Sequence, residues 1–326
     1  MKQIYFLLIL IFSGLLSCKT DPKNAMPKKD LPPAKVPAVS ADSMMNFVEK
    51  QLSFGVRYPG SEGHLKVRDW IVAKMKSYGA EVSIQEFKAS FLGKKDVPSY
   101  NIIARINPKL SDRIALFAHY DSRLIAEKDK DVSKQGLPIL GAVDGAGGVA
   151  GLIEIARQLK ENPAGIGVDF VFFDAEDQGE EARLESWCLG SQHWSQNPDK
   201  DKEKPKFGIL MDLVGAAGSV YGKEEISFKM AQLLQENVWQ LARSMGKSDL
   251  FVNLPVGPIT DDHYYVNLYA KIPTIDIIAT KPTGQFGDYH HTHGDTIEAL
   301  DKSILASVVQ VVTAVVYKTS DGSFKY

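Results

Sequence analysis

The stretch from Val168 to Asp177, V-D-F-V-F-F-D-A-E-D, limits what this chain can fold into more than any other. Val168, Phe170, Val171, Phe172 and Phe173 are β-branched or aromatic and nearly continuous, which suits a central strand covered on both faces. Asp174, Glu176 and Asp177 then arrive within four residues. Acids packed that closely repel one another unless a cation or a shared proton sits among them. Open α/β sheets bind ligands beyond the carboxyl ends of their strands, so a buried strand that delivers acids to its end marks a place for chemistry. Taken alone, the segment reads equally as a solvated acidic loop; the rest of the chain decides between the two.

Strand and helix patterns alternate on either side of it. Ser40 caps a helix through Leu52, and Ser61 opens a second through Ser77, with Leu65, Val67, Trp70, Ile71 and Met75 as its apolar side. Strands are expected at 81–87, 100–106, 113–119, 207–214 and 272–278, and helices at 149–160, 187–194, 227–245 and 299–317. Met230, Leu233, Leu234, Val238, Leu241 and Ala242 form the inward side of the 227–245 helix. Gly141 to Gly148 reads as a flexible loop. Alternation of this kind predicts an α/β fold, a mostly parallel mixed central sheet with helices on both faces and an antiparallel edge made by the two early strands. With no repeat and no internal linker, residues 40–326 are expected to form one domain.

The N-terminus is a separate matter. Met1-Lys2-Gln3 is followed by an apolar run from Ile4 to Leu16, too short to span a bilayer comfortably and suited to a secretory signal. The run ends Leu15-Leu16-Ser17-Cys18, which resembles a bacterial lipoprotein signal. The resemblance implies removal of residues 1–17, lipidation of Cys18 and attachment to a membrane of the bacterial cell envelope, periplasm-facing or outer. Residues 18–39, rich in Pro and Lys, read as an extended tether. The only other cysteine is Cys188. The formal net charge of −2 offers no electrostatic case for nucleic acid.

Acids and histidines recur at expected strand ends and in the loops beyond them: His119 and Asp121, Asp144, Glu176 and Asp177, Asp212, and the His290-His291-Thr292-His293 loop. Asp261-Asp262-His263 joins them from another loop. Carboxylates and imidazoles gathered in this way are the donor set a zinc ion uses, with a position left open for substrate. The motifs run in order: R-Y-P-G-S at Arg57 to Ser61, A-H-Y-D-S at Ala118 to Ser122, A-V-D-G-A-G-G at Ala142 to Gly148, F-F-D-A-E-D at Phe172 to Asp177, S-W at Ser186-Trp187, L-M-D-L-V-G-A at Leu210 to Ala216, D-D-H at Asp261 to His263, and H-H-T at His290 to Thr292. From Gly55 to Asp301 this set resembles the zinc aminopeptidase superfamily and, within it, more closely the glutaminyl cyclases (glutaminyl-peptide cyclotransferases).

That resemblance implies the following. Asp144, Asp177 and His291 match the ligands of one zinc ion, and Glu176 matches the catalytic acid/base. Asp212 and Asp262 match carboxylates hydrogen-bonded around that glutamate and the substrate. Trp187 matches an aromatic wall of the pocket. His119 matches a histidine that binds a second zinc in the aminopeptidases and is retained without one in the cyclases. Two positions depart from the pattern: Asp177 stands where many relatives have Glu, and His290 stands where animal cyclases have Trp, still able to form one side of the pocket. His293 competes with His291, which the spacing H-T-x-x-D-T favours. The implied reaction turns the N-terminal glutamine of peptides or proteins into pyroglutamate with release of ammonia. The alternatives are a di-zinc aminopeptidase and an inactive lipid-anchored binding protein.

Overall fold

The structure, a computed structural model, describes residues 35–326. The signal segment 1–17, Cys18 and most of the predicted tether lie outside the described residues. Where the tether enters them it is packed, contrary to the expected spacer. Val36 and Val39 lie against the core. The Gln310 side chain donates to Pro37 O at 2.9 Å and accepts from Val39 N at 3.0 Å.

Six strands form the central sheet: β1 (Glu81–Phe91), β2 (Lys94–Ile106), β3 (Arg113–His119), β4 (Gly167–Phe173), β5 (Gly208–Asp212) and β8 (Thr274–Ile278). Their order is β1-β2-β4-β3-β5-β8. The β4/β3, β3/β5 and β5/β8 pairings are parallel, and β1/β2 and β2/β4 are antiparallel. This is the expected mixed sheet with its antiparallel edge. Strand alternation sorts the side chains between two cores. Phe170, Phe172, Leu116, Ala118, Ile209 and Met211 face the larger one, under α1 (Ala41–Leu52), α3 (Gly148–Glu161) and α7 (Lys302–Ser320). Val171, Phe173, Phe117 and Leu210 face the smaller one, with Trp194 of α4 (Leu189–Gln196) and Val266. The nearly continuous apolar composition of β4 follows from this double burial.

A second, two-stranded parallel sheet, β6 (Tyr221–Glu224) with β7 (Phe251–Val256), flanks α5 (Glu225–Ser244) and is not expected from the sequence: β6 is only four residues long, and β7 carries Asn253 and Pro255 and buries only its two end residues. On α5, Leu234, Val238 and Ala242 are buried as expected, but Met230 and Leu233 face solvent. The inward face instead runs through Ser227, Ala231, Gln235 and Trp239, one stripe at helical spacing with Leu234, Val238 and Ala242. Leu65 on α2 (Glu62–Ser77) is likewise exposed; the buried His64 takes its place.

The glycine-rich segment 141–148 is not a flexible loop. Residues 142–147 form a fully buried helical turn leading into α3. A Cβ on Gly148 would sit 2.4 Å from Met211 O, and one on Gly145 would sit 2.5 Å from both His119 Nε2 and His119 O. These glycines let the turn lie directly on β3 and β5. Because the atom met at Gly148 is backbone and cannot swing aside, Gly148→Ala is expected to destabilise the chain by about 1–3 kcal/mol, read as a lower urea midpoint at unchanged slope.

Candidate active site

Each strand of the parallel part ends in a residue of the site or passes straight into one. His119 is the last residue of β3 and Asp212 the last of β5; Glu176 and Asp177 follow β4, and Asp144 sits in the turn before α3. Asp121, just past β3, shapes the acidic turn. Its carboxylate accepts from Glu176 N at 3.2 Å, Asp177 N at 3.3 Å and the Gln178 side chain at 2.9 Å. Asp174, part of the same acid run, points the other way. It accepts from Tyr100 N at 2.6 Å and pairs with the buried His64 at 2.8 Å, which makes it a structural anchor.

Asp144 is held from two sides. Asp295 accepts from Val143 N at 2.7 Å and Asp144 N at 3.2 Å. Arg57, fully buried, donates to Gly141 O at 2.8 Å, Tyr120 O at 3.1 Å and Leu140 O. The R-Y-P-G-S and H-T-x-x-D-T motifs thus meet at one turn, and both serve to place Asp144.

His291 brings the proposed ligands together. Its Nε2 lies 3.0 Å from Asp177 Oδ1 and 4.0 Å from Asp144 Oδ2. Zinc bonds of about 2 Å to N and O donors put neighbouring tetrahedral ligand atoms about 3.3 Å apart, which the His291–Asp177 separation approaches and the His291–Asp144 separation exceeds. Asp177 Oδ2 is buried with no hydrogen-bond partner, an orphaned acceptor on the same carboxylate. Burial, reinforced by the Asp144 charge, pushes the Asp177 carboxyl up to about 6. Burial opposes protonation of His291, but Asp177 and Glu127 outweigh it and raise the imidazole to about 9. The cluster draws positive charge toward this point, and two carboxylates with an imidazole fit zinc.

His119 Nε2 stands 3.0 Å from Asp144 Oδ1 and 3.1 Å from Asp212 Oδ1. Burial lowers its pKa, yet hydrogen bonds to Asp121, Asp144 and Asp212 raise it well above the usual imidazole range. Glu176 moves the same way for another reason: burial first, then the charges of Asp261, Asp177 and Asp262, against a lowering by His119, lift it well above the carboxylate range. Cys188, which sequence reading left without a task, donates its thiol to Glu176 Oε1 at 3.1 Å.

An open cavity of about 400 Å³ joins these groups, lined by Asp144, Glu176, Asp177, Trp187, Asp212, Asp261, His290 and His291 among others. Trp187 stacks on His291 at 5.8 Å, and Arg123 lies over its other side at 4.6 Å. His290 packs on His291 at 3.8 Å and beside Phe286 at 4.4 Å. Asp262 does not reach the cavity. Its neighbour Asp261 does, and comes within 4.8 Å of Glu176 and Cys188. The reason lies in the backbone. Asp261 is the extended N-cap of α6 (Asp262–Tyr265), its side chain accepting from Asp262 N at the mouth of the helix, whereas Asp262 is the first helical residue and is fully buried. Sequence reading also passed over Arg123 and Glu127, which hold Trp187 and His291, and over the buried Asp276 and Glu224 beside His263.

The pattern of peptidase family M28 matches residues 101–316. Among solved structures, the chain is similar to a glutaminyl cyclase from Bacteroides thetaiotaomicron bound to N-acetylhistamine, with a TM-score of 0.84 and 38% identity, covering 87% of this chain and 99% of that one. It is equally similar to a Zn-dependent exopeptidase from Parabacteroides distasonis, at a TM-score of 0.84 and 40% identity over 87% and 99% of the two chains. A glutaminyl-peptide cyclotransferase-like protein of Mus musculus is 27% identical over 268 residues, 74% of this chain and 66% of its own length.

Asp261 gives the site a measurable pH signature. Burial first, then Asp212, raises its carboxyl from 3.8 to about 7. Between those values the folded chain holds a proton that the unfolded chain has lost, so its contribution falls as pH rises through that window. In metal-free protein, Asp261→Asn should flatten the decline in unfolding free energy between pH 4 and 7 and raise stability at pH 8, measured by urea unfolding.

Proposed function

The chain belongs to peptidase family M28, and we propose that within this family it is a zinc-dependent glutaminyl-peptide cyclotransferase acting on peptides and proteins with N-terminal glutamine. One observation carries the reading: a buried glutamate with a raised pKa stands beside Asp144, Asp177 and His291 at the floor of a cavity walled by Trp187. The similarity to bacterial glutaminyl cyclases supports it.

Asp144, Asp177 and His291 would hold the ion. When bound there, zinc supplies Lewis-acid polarisation of the glutamine side-chain carbonyl. The rest falls to the chain. Trp187 and His290 flank the glutamine side chain and fold it back toward its own α-amine, a positioning contribution. Glu176 takes a proton from that amine as the amine nitrogen bonds to the amide carbon. It then returns a proton to the amide nitrogen, whose bond to the same carbon breaks, and ammonia leaves. Asp261, in the part the sequence assigned to Asp262, acts with Asp177 and Asp262 to oppose ionisation of Glu176 and so keeps it able to hold a proton between the two transfers, while Asp212 holds His119 at 3.1 Å.

A di-zinc aminopeptidase is the second reading. The observation in its favour is the trio His119, Asp144 and Asp212, whose donor atoms lie within 4.8 Å of one another. Metal stoichiometry and product separate the readings: one zinc and ammonia from a Gln-initiated peptide for the cyclase, two zincs and free amino acids for the peptidase. Glu176→Gln should keep zinc and fold while lowering kcat for cyclisation by about 10²–10⁴-fold, followed as ammonia release and as the mass of the product. Cyclisation by that variant at the parental rate would remove Glu176 from the mechanism.

We further propose that a lipid on Cys18 holds the enzyme at a membrane of the bacterial cell envelope. The motif Leu15-Leu16-Ser17-Cys18 supports this. Cys18→Ser should move the protein from the membrane to the soluble fraction and abolish labelling by radioactive fatty acid.

A further inference from the structure

Three histidines crowd the turn that carries His291, and three consecutive residues far away in sequence take one each. Glu127 Oε1 accepts from His291 Nδ1 at 2.6 Å. Lys128 Nζ donates to His290 Nδ1 at 2.9 Å. Asp129 Oδ2 accepts from His293 Nδ1 at 2.8 Å and from its backbone N–H at 3.0 Å. The strands of chain are also joined directly, Lys128 N donating to His291 O at 3.2 Å. Arg123 secures the arrangement. Its Nε meets Glu127 Oε2 at 2.7 Å, and its terminal nitrogens donate to Asp177 O at 2.7 Å and Gly179 O at 3.0 Å.

The chemistry of the partners differs in a way that matters. A carboxylate only accepts, so Glu127 demands the proton on His291 Nδ1 and leaves Nε2, which faces Asp177 and Asp144, as the nitrogen that can give up its proton and offer a lone pair to a metal. An ammonium only donates, so Lys128 demands a lone pair on His290 Nδ1, which places the proton of the neutral ring on Nε2. Neighbouring imidazoles are thereby held in opposite tautomers. The distinction is needed, because donor atoms of His290, His291 and Asp144 all lie within 4.8 Å of one another. Asp129 keeps the third imidazole out of the cavity lining.

We propose that Glu127-Lys128-Asp129 is a positioning clasp that selects His291 from three adjacent histidines as the metal ligand, by fixing opposite tautomers on His291 and His290 and tying His293 outside the site. The proposal rests on the zinc site described above, and the test separates the two. Zinc dissociation constants would be measured on the purified protein by competition with a chromophoric chelator. Glu127→Ala should weaken zinc about 10–100-fold, the range for loss of a residue orienting a metal-bound histidine. The melting temperature of the metal-free protein should stay near the parental value. Glu127→Gln, whose amide oxygen still accepts from Nδ1, should recover part of the loss. Lys128→Glu, at an exposed position where folding is not at stake, puts an acceptor on His290 Nδ1 and frees its Nε2; it should cut kcat/KM about tenfold with zinc bound at least as tightly. His291→Ala is the control. If it keeps parental zinc affinity, the metal site itself is misassigned. If it loses zinc while the Glu127 variants bind as the parent does, the clasp is overturned. Lys128→Glu with unchanged kcat/KM and unchanged affinity overturns the tautomer assignment.

Discussion

Too many carboxyl groups are buried in one place, and the structure around the cavity is organised by that constraint. Glu176, Asp177, Asp212, Asp261, Asp262 and Asp276 are all less than a tenth exposed. Each would cost several kcal/mol if left ionised and alone in such surroundings. Relief comes in three forms. Arg57, Arg123 and the imidazoles of His119 and His291 bring positive charge from three segments of chain, His119 and Arg123 sharing one. Backbone N–H groups reach the carboxylates that shape the turns, as at Asp121 and Asp295. The remainder hold protons, which is why Glu176, Asp262 and Asp276 are drawn well above the carboxylate range. A cation between Asp144 and Asp177 would be a fourth form, placed where an unpartnered oxygen already waits.

Holding the acids there bends the backbone. Ala175, Cys188, Leu213 and His291 all adopt left-handed angles, with φ between 51° and 58°, and each lies at or beside a residue of the site. For residues with a Cβ this conformation costs about 1 kcal/mol or more apiece, and it persists where packing around it leaves no alternative. Here the packing is visible. Cys188 N donates to Glu176 O at 2.9 Å and Leu189 N to Ala175 O at 3.1 Å, so the start of α4 is fastened to the acidic turn. Trp187 and Glu176 are therefore positioned by the same short contact, which couples the wall of the pocket to the group at its floor.

Much of this was legible in the residues. The buried strand β4 announced itself because double burial leaves almost no polar positions, and acids at the ends of β3, β4 and β5 stood out because nothing in a core strand calls for them. Asp261 and Asp262 could not be told apart by composition; only the onset of α6 sends one toward the cavity and the other inward. Arg123 and Glu127 left no trace for a different reason. They lie in a segment without regular secondary structure, and the site groups they hold, at Asp177 and His291, are more than 50 residues away, so no period connects them to the site. Gly141 to Gly148 misled because glycine signals freedom as readily as close approach, and here the approach of β3 and β5 decides.

The pairing of Glu176 with Asp261 bears on why the proposed reaction is a cyclisation. Hydrolysis asks a base to take a proton from water, which solvent can always replenish. Cyclisation of glutamine asks one group to remove a proton from an amine and deliver it to another nitrogen of the same residue, with no net exchange with solvent. A carboxyl that is buried, raised in pKa and within 4.8 Å of a second raised carboxyl suits that task, because it can hold a proton between the two transfers. Attack by the amine is favoured because both reacting groups lie on one residue. On this view the acids that burden the fold are what directs the chemistry, and the charge of His119 limits how far burial and the neighbouring acids raise Glu176.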